Sequence, residues 1–497
     1  MRKTFRFQKL VKLLVNSLRG KLVIKSCLVV ILLMGVNSAF HNTSAVNAID
    51  RTGWAWDETE LVSFESDEIS MDPVAAVDSE DNLHVVWADV TGYNIYYSMK
   101  DAISGSWSSM ELVSVGSINF ASSPSIAIDK DDNIHVVWDD NTDFYGTSGS
   151  DYDICYSMKA ADSSSWTSVE VISTESTDYS LRPDIACDGE GNLHVVYYDY
   201  TEYMSCGSDH DIFYKKWYAS TSSWGVAEVV STESDGDSFC PEICVTLDEH
   251  IFVVWYDQSD YDNSGTDLDI FFKQKKPSED WSSTTVLSWL SYDSSQFPQI
   301  ECEETGRVHV VWEDDSNILN SGADTDIFYS IYAPNLNSWT SNLVLSSASL
   351  LDSHNPWIAI DCFGDVHVVW SDATPIGSSG SDTDIIYKIL DSDSLTWSQD
   401  LVVSTECNDD SAKPAIITDS TGYTHVFWED RTDILGAGGE GDVFYTRLFG
   451  TITEETDEPT GLFQNLNVGE IIIFAAIVGG FQIILALITY VLLRKRK

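Results

Sequence analysis

Seven prolines spaced almost evenly through the middle of the chain constrain its fold more than any other feature. They are Pro73, Pro124, Pro183, Pro241, Pro298, Pro356 and Pro414, at intervals of 51, 59, 58, 57, 58 and 58 residues. A fixed period of this length means one supersecondary unit used many times over. In the second unit a short apolar run over 125–129 follows the proline, and a polar turn, Asp131-Asp132-Asn133, separates it from a second run over 134–138. A long acidic loop leads to a third run over 153–157, and a turn ending at Trp166 to a fourth over 169–173. The runs are rich in Val, Ile, Tyr and Trp and bounded by Gly, Asp, Asn and Ser, which is strand and turn chemistry. Four short strands in under about 60 residues, repeated radially, describe the blade of a β-propeller.

The seventh unit stops early. It has Pro414, Trp428 and a third run over 442–445, but no turn tryptophan and no fourth strand. The missing piece stands at the start of the chain, where 56–63 (WDETELVS) matches 107–114 (WSSMELVS) of the first unit. The expectation is an all-β, seven-bladed β-propeller whose N-terminal strand closes blade seven, which removes open strand edges.

The hairpins over 97–107 and 156–166 resemble degenerate Asp-box (BNR) turns, and the Trp-x-Asp … Asp-Ile-x-Tyr pattern is similar to the blades of prokaryotic surface and secreted propellers of the sialidase-like superfamily. The resemblance covers residues 54–449 and implies the blade fold; function does not follow from fold. Sialidase chemistry, which the resemblance would imply, uses three arginines on a substrate carboxylate, a Tyr/Glu pair and a further acid. The middle of this chain has Arg51, Arg182, Arg307, Arg431 and Arg447. Arg182 and Arg431 are expected in loops on the long-loop face, and Arg307 and Arg447 towards the opposite face, so three do not converge.

The ends differ from the middle. Residues 1–48 read as a secretory signal peptide, basic and then apolar over 27–36, with an uncleaved anchor as the alternative. Residues 468–493 read as one C-terminal transmembrane helix: the apolar stretch 471–493 gives about 34 Å of helix against about 30 Å of hydrocarbon. A basic tail over 494–497 should stay cytoplasmic. The propeller, 49–450, would then stand outside the cell membrane on an acidic linker, 451–467, as a single-pass protein. Between the ends lie 15 basic and 78 acidic residues, about −63 formal charges. Such a surface repels phosphate backbones and excludes nucleic acid as a partner.

Residues that recur in every blade are expected to serve the fold. His84, His135, His194, His309, His367 and His425 share one position, with Phe252 in the fourth blade. Trp87, Trp138, Trp255, Trp312, Trp370 and Trp428, with Tyr197, share another. Packing and a local hydrogen bond explain six copies replaced once by Phe; the tryptophans read as core, with glycan platforms as the alternative.

The long loops carry the sharper signal. Counting Asp199, Asp257, Asp314, Asp372 and Asp430 as position zero, an aspartate stands at position twelve: Asp211, Asp269, Asp326, Asp384 and Asp442. Position ten is acidic (Asp209, Asp267, Asp324, Asp382, Glu440) and position eight is Gly207, Gly265, Gly322, Gly380 or Gly438. Blade two repeats this with one insertion, as Asp140, Gly149, Asp151 and Asp153, and blade one lacks it. Clustered carboxylates suit Ca²⁺, a hard cation taking six to eight oxygens; equally, Asp caps strands and turns through its own backbone. Among the exported cysteines, Cys206 and Cys240 form a candidate disulfide on the long-loop face, while Cys187 and Cys302 read as buried thiols.

The functional expectation is a surface binding or adhesion module for protein or glycan on the acidic face. A sialidase-like glycoside hydrolase with a carboxylate pair there and a structural surface-layer component are the alternatives.

Overall fold

The computed structural model describes residues 55–449 apart from 67–68, 91, 145–150, 205, 208, 320, 377–379 and 438–440. The signal-peptide, linker and transmembrane segments lie outside the described residues, as do Arg51, Gly149, Gly438 and Glu440.

Among the described residues there are seven antiparallel sheets, six of them ordered from an inner strand outward in chain order, and none of these residues is α-helical. Blade two is representative: Ala121–Ile128, Ile134–Asp140, Asp153–Lys159 and Glu170–Val171. The outer strand is shorter than expected. Only two residues pair in register, and alternate amides continue the contact, Thr167 N to Met158 O at 2.9 Å and Ile172 N to Ile154 O at 2.8 Å. The outermost strand has only one hydrogen-bonding neighbour, and its buried side chains, Val169 and Ile172, are held by packing between blades instead of by a longer ladder.

Blade seven closes as the repeat requires. Its third strand, Asp442–Phe449, pairs on one side with Thr424–Asp430 and on the other with Ala55–Trp56 and Glu60–Leu61. Ser63 Oγ donates to Asp442 Oδ1 at 2.6 Å, and the Arg447 guanidinium lies 2.8 Å from Asp57 Oδ2. Val62 is buried, and Trp56 meets Tyr387 of blade six edge-on at 5.3 Å.

The second strand of every blade is the core. Trp87, Trp138, Trp255, Trp312, Trp370 and Trp428 have no solvent exposure. They sit between neighbouring blades, where apolar residues on both sides of a strand are buried. The recurrent histidine adds one polar unit per blade. His194 Nδ1 meets the Tyr214 hydroxyl at 2.8 Å and its Nε2 meets Asp188 Oδ2 at 3.2 Å. His84, His135, His309 and His425 repeat both contacts. Blade four changes all members together: Phe252 stacks on Phe272 at 6.2 Å, and Thr246 stands where Asp188 stands in blade three.

The expected Cys206–Cys240 disulfide is absent; both are free thiols. Sharing a face did not bring them together. Cys206 packs in the long loop against the blade two–three core, its thiol 3.6 Å from Thr201 O, while Cys240 lies at the ring axis, 3.5 Å from the Tyr256 hydroxyl. Cys187 and Cys302 are partly buried thiols.

Candidate functional site

The prolines themselves line a central shaft. Immediately before each one the inner strand slips register against the second strand, a β-bulge repeated in all seven blades. The residue preceding the proline takes a left-handed backbone each time: Asp72, Ser123, Arg182, Cys240, Phe297, Asn355 and Lys413 have φ between 45° and 52°. Such a conformation costs a non-glycine residue on the order of 1–3 kcal/mol. Its sevenfold repetition makes it part of the architecture. The side chains it presents do not repeat: an acid, an alcohol, a guanidinium, a thiol, a phenyl ring, an amide and an amine share one backbone position.

Three of these strained amides are held by the preceding blade. Arg182 N donates to Asp139 Oδ2 at 3.0 Å, Asn355 N to Glu313 Oε1 at 2.6 Å and Asp72 N to Glu429 Oε2 at 3.4 Å. Lys413 Nζ lies 2.7 Å from Asp72 Oδ1 and 3.7 Å from Glu429, and His354 Nδ1 lies 2.9 Å from Glu313. The Arg182 guanidinium is exposed at the mouth; among the described residues no carboxylate lies within ion-pair contact of it, although the charges of Asp72 and Asp139 act on it. Arg182 therefore stands on a strand at the axis, where a loop position was expected, although on the anticipated face. Arg307 pairs with Glu303 at 3.0 Å and Arg447 with Asp57, so the arginines stay apart.

The shaft mouth encloses a cavity of about 350 Å³. One turn deeper, at the residue after each proline, are Val74, Ser125, Asp184, Glu242, Gln299, Trp357 and Ala415. Asp184 accepts from Ser125 Oγ at 2.7 Å and from Ile243 N at 2.9 Å, bridging three blades. Burial raises the Asp184 carboxyl, and burial beside Asp184 holds Glu242 well above the ordinary range. Glu301, deeper still, is pushed up to about 7 by burial and then by the charge of Asp184. These groups touch the narrow shaft solvent yet have protein on every side, so charging them is disfavoured.

A measurable consequence follows for Glu301. Its folded value lies above the ordinary glutamate value of about 4.3, so the fold favours the protonated form. Stability from this group is full below that value and is lost as pH rises towards 7. Glu301→Gln should remove a pH dependence on the order of 2–3 kcal/mol between pH 4 and 8, read as the variant-minus-parent difference in urea unfolding.

Aromatic rings form an arc on the same face. Phe297, Tyr256, Phe239 and Tyr198 follow one another at 5.4–5.6 Å between centroids. His210 joins Phe239 at 4.6 Å to Tyr200, and Tyr179 and Tyr152 extend the arc at 6.3 and 6.0 Å. Tyr179 and Tyr200 are exposed.

The acidic loops divide by position. The position-zero aspartates Asp140, Asp199, Asp257, Asp314, Asp372 and Asp430 are buried caps. Each accepts the amide two residues on at 2.7–2.8 Å. The second oxygen takes an inner-strand serine, as Ser238 on Asp257, or a tryptophan Nε1, as Trp138 on Asp140. The position-twelve aspartates Asp153, Asp211, Asp269, Asp326, Asp384 and Asp442 each accept a serine of the outer strand on Oδ1, at 2.6–2.9 Å. Asp211, Asp269 and Asp326 are pushed up to about 6 by burial. Asp151, Asp209, Asp267, Asp324 and Asp382 of position ten are half-buried. Among the described residues no three His, Cys, Asp or Glu side chains gather as a ready-made metal cluster.

No family model and no curated protein sequence matches the chain. Solved structures do. An ulvan lyase of polysaccharide lyase family 25, bound to -[GlcA(1-4)Rha3S]-, aligns with TM-score 0.52 and 11% identity over 76% of this chain and 94% of its own. The likeness is one of fold. A Dyadobacter fermentans protein of unknown function (TM-score 0.43, 14% identity, 66% of this chain and 94% of its own) is also similar. So is an intramolecular trans-sialidase from Ruminococcus gnavus (TM-score 0.39, 10% identity, 76% and 94%). This chain is thus a seven-bladed β-propeller with sugar-active proteins among its structural neighbours.

Sequence reasoning missed the shaft mouth. The signal was present: aligned on the prolines, the flanking residues read Met-Asp-Pro-Val, Ser-Ser-Pro-Ser, Leu-Arg-Pro-Asp, Phe-Cys-Pro-Glu, Gln-Phe-Pro-Gln, His-Asn-Pro-Trp and Ala-Lys-Pro-Ala. Divergence inside an otherwise regular repeat marked the place.

Proposed function

We propose that the protein is a cell-surface glycan-binding propeller that holds its ligand at the shaft mouth, carried on the membrane by the apolar segment 471–493. The observation that carries this reading is the ring of seven equivalent backbones bearing seven different side chains, with the exposed Arg182 facing an aromatic arc. Sugar rings have apolar faces that stack on aromatic side chains and hydroxyls that need donors and acceptors, and the mouth offers both. The cavity is within the range of small-ligand sites. The alignment with an ulvan lyase bound to a saccharide supports a glycan-related role by analogy of fold.

A glycan array probed with the fragment 49–450, whose ring is closed by residues of its own, tests the reading. Arg182→Ala should weaken binding to the captured glycan at least ~10-fold, the loss of one charge-assisted contact, with the melting temperature unchanged. Equal binding by Arg182→Ala and Tyr200→Ala would rule the mouth out. Hydrolysis or lysis is the second reading, favoured by Glu242, whose burial beside Asp184 raises its carboxyl towards the proton-carrying form that glycoside cleavage needs. New reducing ends on the captured glycan, abolished by Glu242→Gln, would replace binding by catalysis. Membrane fractionation of the full chain, with and without 468–497, tests the anchor.

A further inference from the structure

The long loops of blades four and five enclose carboxylate oxygens that lack well-formed hydrogen bonds, with the Ser264 and Ser321 hydroxyls near Asp269 and Asp326. In blade four the Oδ2 atoms of Asp267 and Asp269 are buried without a hydrogen-bond partner, and in blade five the same is true of Asp324 and Asp326. Asp269 and Asp326 are 1% and 0% exposed. Their other oxygens are fixed by Ser288 and Ser346, each at 2.6 Å, so the orphaned oxygens are held in place beside the position-ten carboxylates. Two adjacent carboxylates with unfilled Oδ2 atoms repel one another and forfeit hydration, a cost that native structures seldom leave unanswered.

No basic residue stands in either loop, 257–269 or 314–326. A cation from solution would neutralise each pair in place of the proton that burial favours. Position eight is built to match: Gly265 and Gly322 have φ of 127° and 124°, and a Cβ there would fall 2.4 and 2.2 Å from Oδ1 of Asp267 and Asp324. The loop backbone wraps the position-ten carboxylate too closely for any side chain. The glycine geometry recurs at Gly207 with Asp209 and at Gly380 with Asp382, and Asp382 too has a buried Oδ2 without a hydrogen bond, which separates the arrangement from a local accident of packing.

We propose that each of these two loops binds a calcium ion between its position-ten and position-twelve aspartates, Asp267 with Asp269 and Asp324 with Asp326. Calcium accepts irregular shells of six to eight oxygens, so two carboxylates supplemented by loop hydroxyls, carbonyls and water suffice; magnesium demands a stricter octahedron. The position-zero aspartates Asp257 and Asp314 take no part, because serine, tryptophan and backbone donors already occupy their oxygens. Ser264 and Ser321 at position seven offer hydroxyls where blade three has the thiol of Cys206, a poor partner for a hard cation. The ion would fasten the long loop to the first residue of the third strand, on the face that carries the shaft mouth.

The test uses the full chain in detergent, stripped with EDTA and titrated with calcium chloride by calorimetry. Uptake with Kd on the order of 10⁻⁴–10⁻³ M, usual for extracellular modules, is expected. Asp267→Asn with Asp269→Asn should lose one ion per chain, and Asp324→Asn with Asp326→Asn another. Calcium should raise the parent's melting temperature but not that of the fourfold variant. In EDTA each Asn pair should melt at or above the parent, because repulsion has been removed; a lower melt there would mean that the carboxylates serve the bare fold. Unchanged uptake in both variants, or no uptake by the parent at millimolar calcium, would overturn the proposal.

Discussion

A chain beginning at Ser70 is expected to lose the closed ring. The segment 55–66 supplies the outer strand of blade seven, burying Val62, half-burying Leu61 and covering part of Tyr387 with Trp56. Removing it strips the edge of Asp442–Phe449 of its amide partners, including Val62 N on Val443 O at 2.8 Å and Asp57 N on Arg447 O at 2.9 Å. Three apolar side chains at ~1.5–3 kcal/mol each place the loss on the order of 5 kcal/mol, a large fraction of ordinary domain stability. Urea unfolding should show it, and the exposed edge should make the truncated chain self-associate by light scattering. An unchanged unfolding midpoint would mean that the ring closes without its N-terminal strand. Supplying 49–69 in trans should restore the midpoint in part.

The histidine units give the second large effect. His194→Phe leaves the Tyr214 hydroxyl without its partner and removes one donor from Asp188, in surroundings with almost no solvent. The cost should be about 2–4 kcal/mol. Blade four shows the accommodated alternative, in which both ring positions are phenyl. His194→Phe combined with Tyr214→Phe should therefore cost less than the two single changes added together, with a coupling of about 1–2 kcal/mol. Additive losses in the double-mutant cycle would show that the hydrogen bond contributes no specificity. Asp188 keeps Asn192 and two backbone amides as donors, which limits the penalty in the double variant.

The fold was legible because its information is periodic. Each proline, each buried Trp and each His announces the same place in the next blade, and the match of 56–63 to 107–114 places the closing strand. The shaft mouth was not legible by the same habit of looking for recurrence. Recurrent aspartates such as Asp257 drew the eye, yet their oxygens are consumed by the turn and strand they cap. Arg182, Glu242 and Phe297 each occur once, and only the proline alignment shows that they meet around one axis. Cys206 and Cys240 illustrate the remaining limit: a shared face says nothing of radius, and one thiol lies in an outer loop while the other stands at the centre.

Strand direction in blade seven has a mechanical side. The third strand runs from Asp442, level with the shaft mouth, to Phe449 at the opposite rim, where the chain leaves the ring. A pull on the C-terminal end along that strand is a shear. It loads every rung from Thr424–Leu448 to Asp430–Asp442 together, along with the rungs to 55–61 on the other side, instead of opening them one after another. A load applied between the level of Asp442 and Phe449 would thus draw on the blade along its more resistant direction.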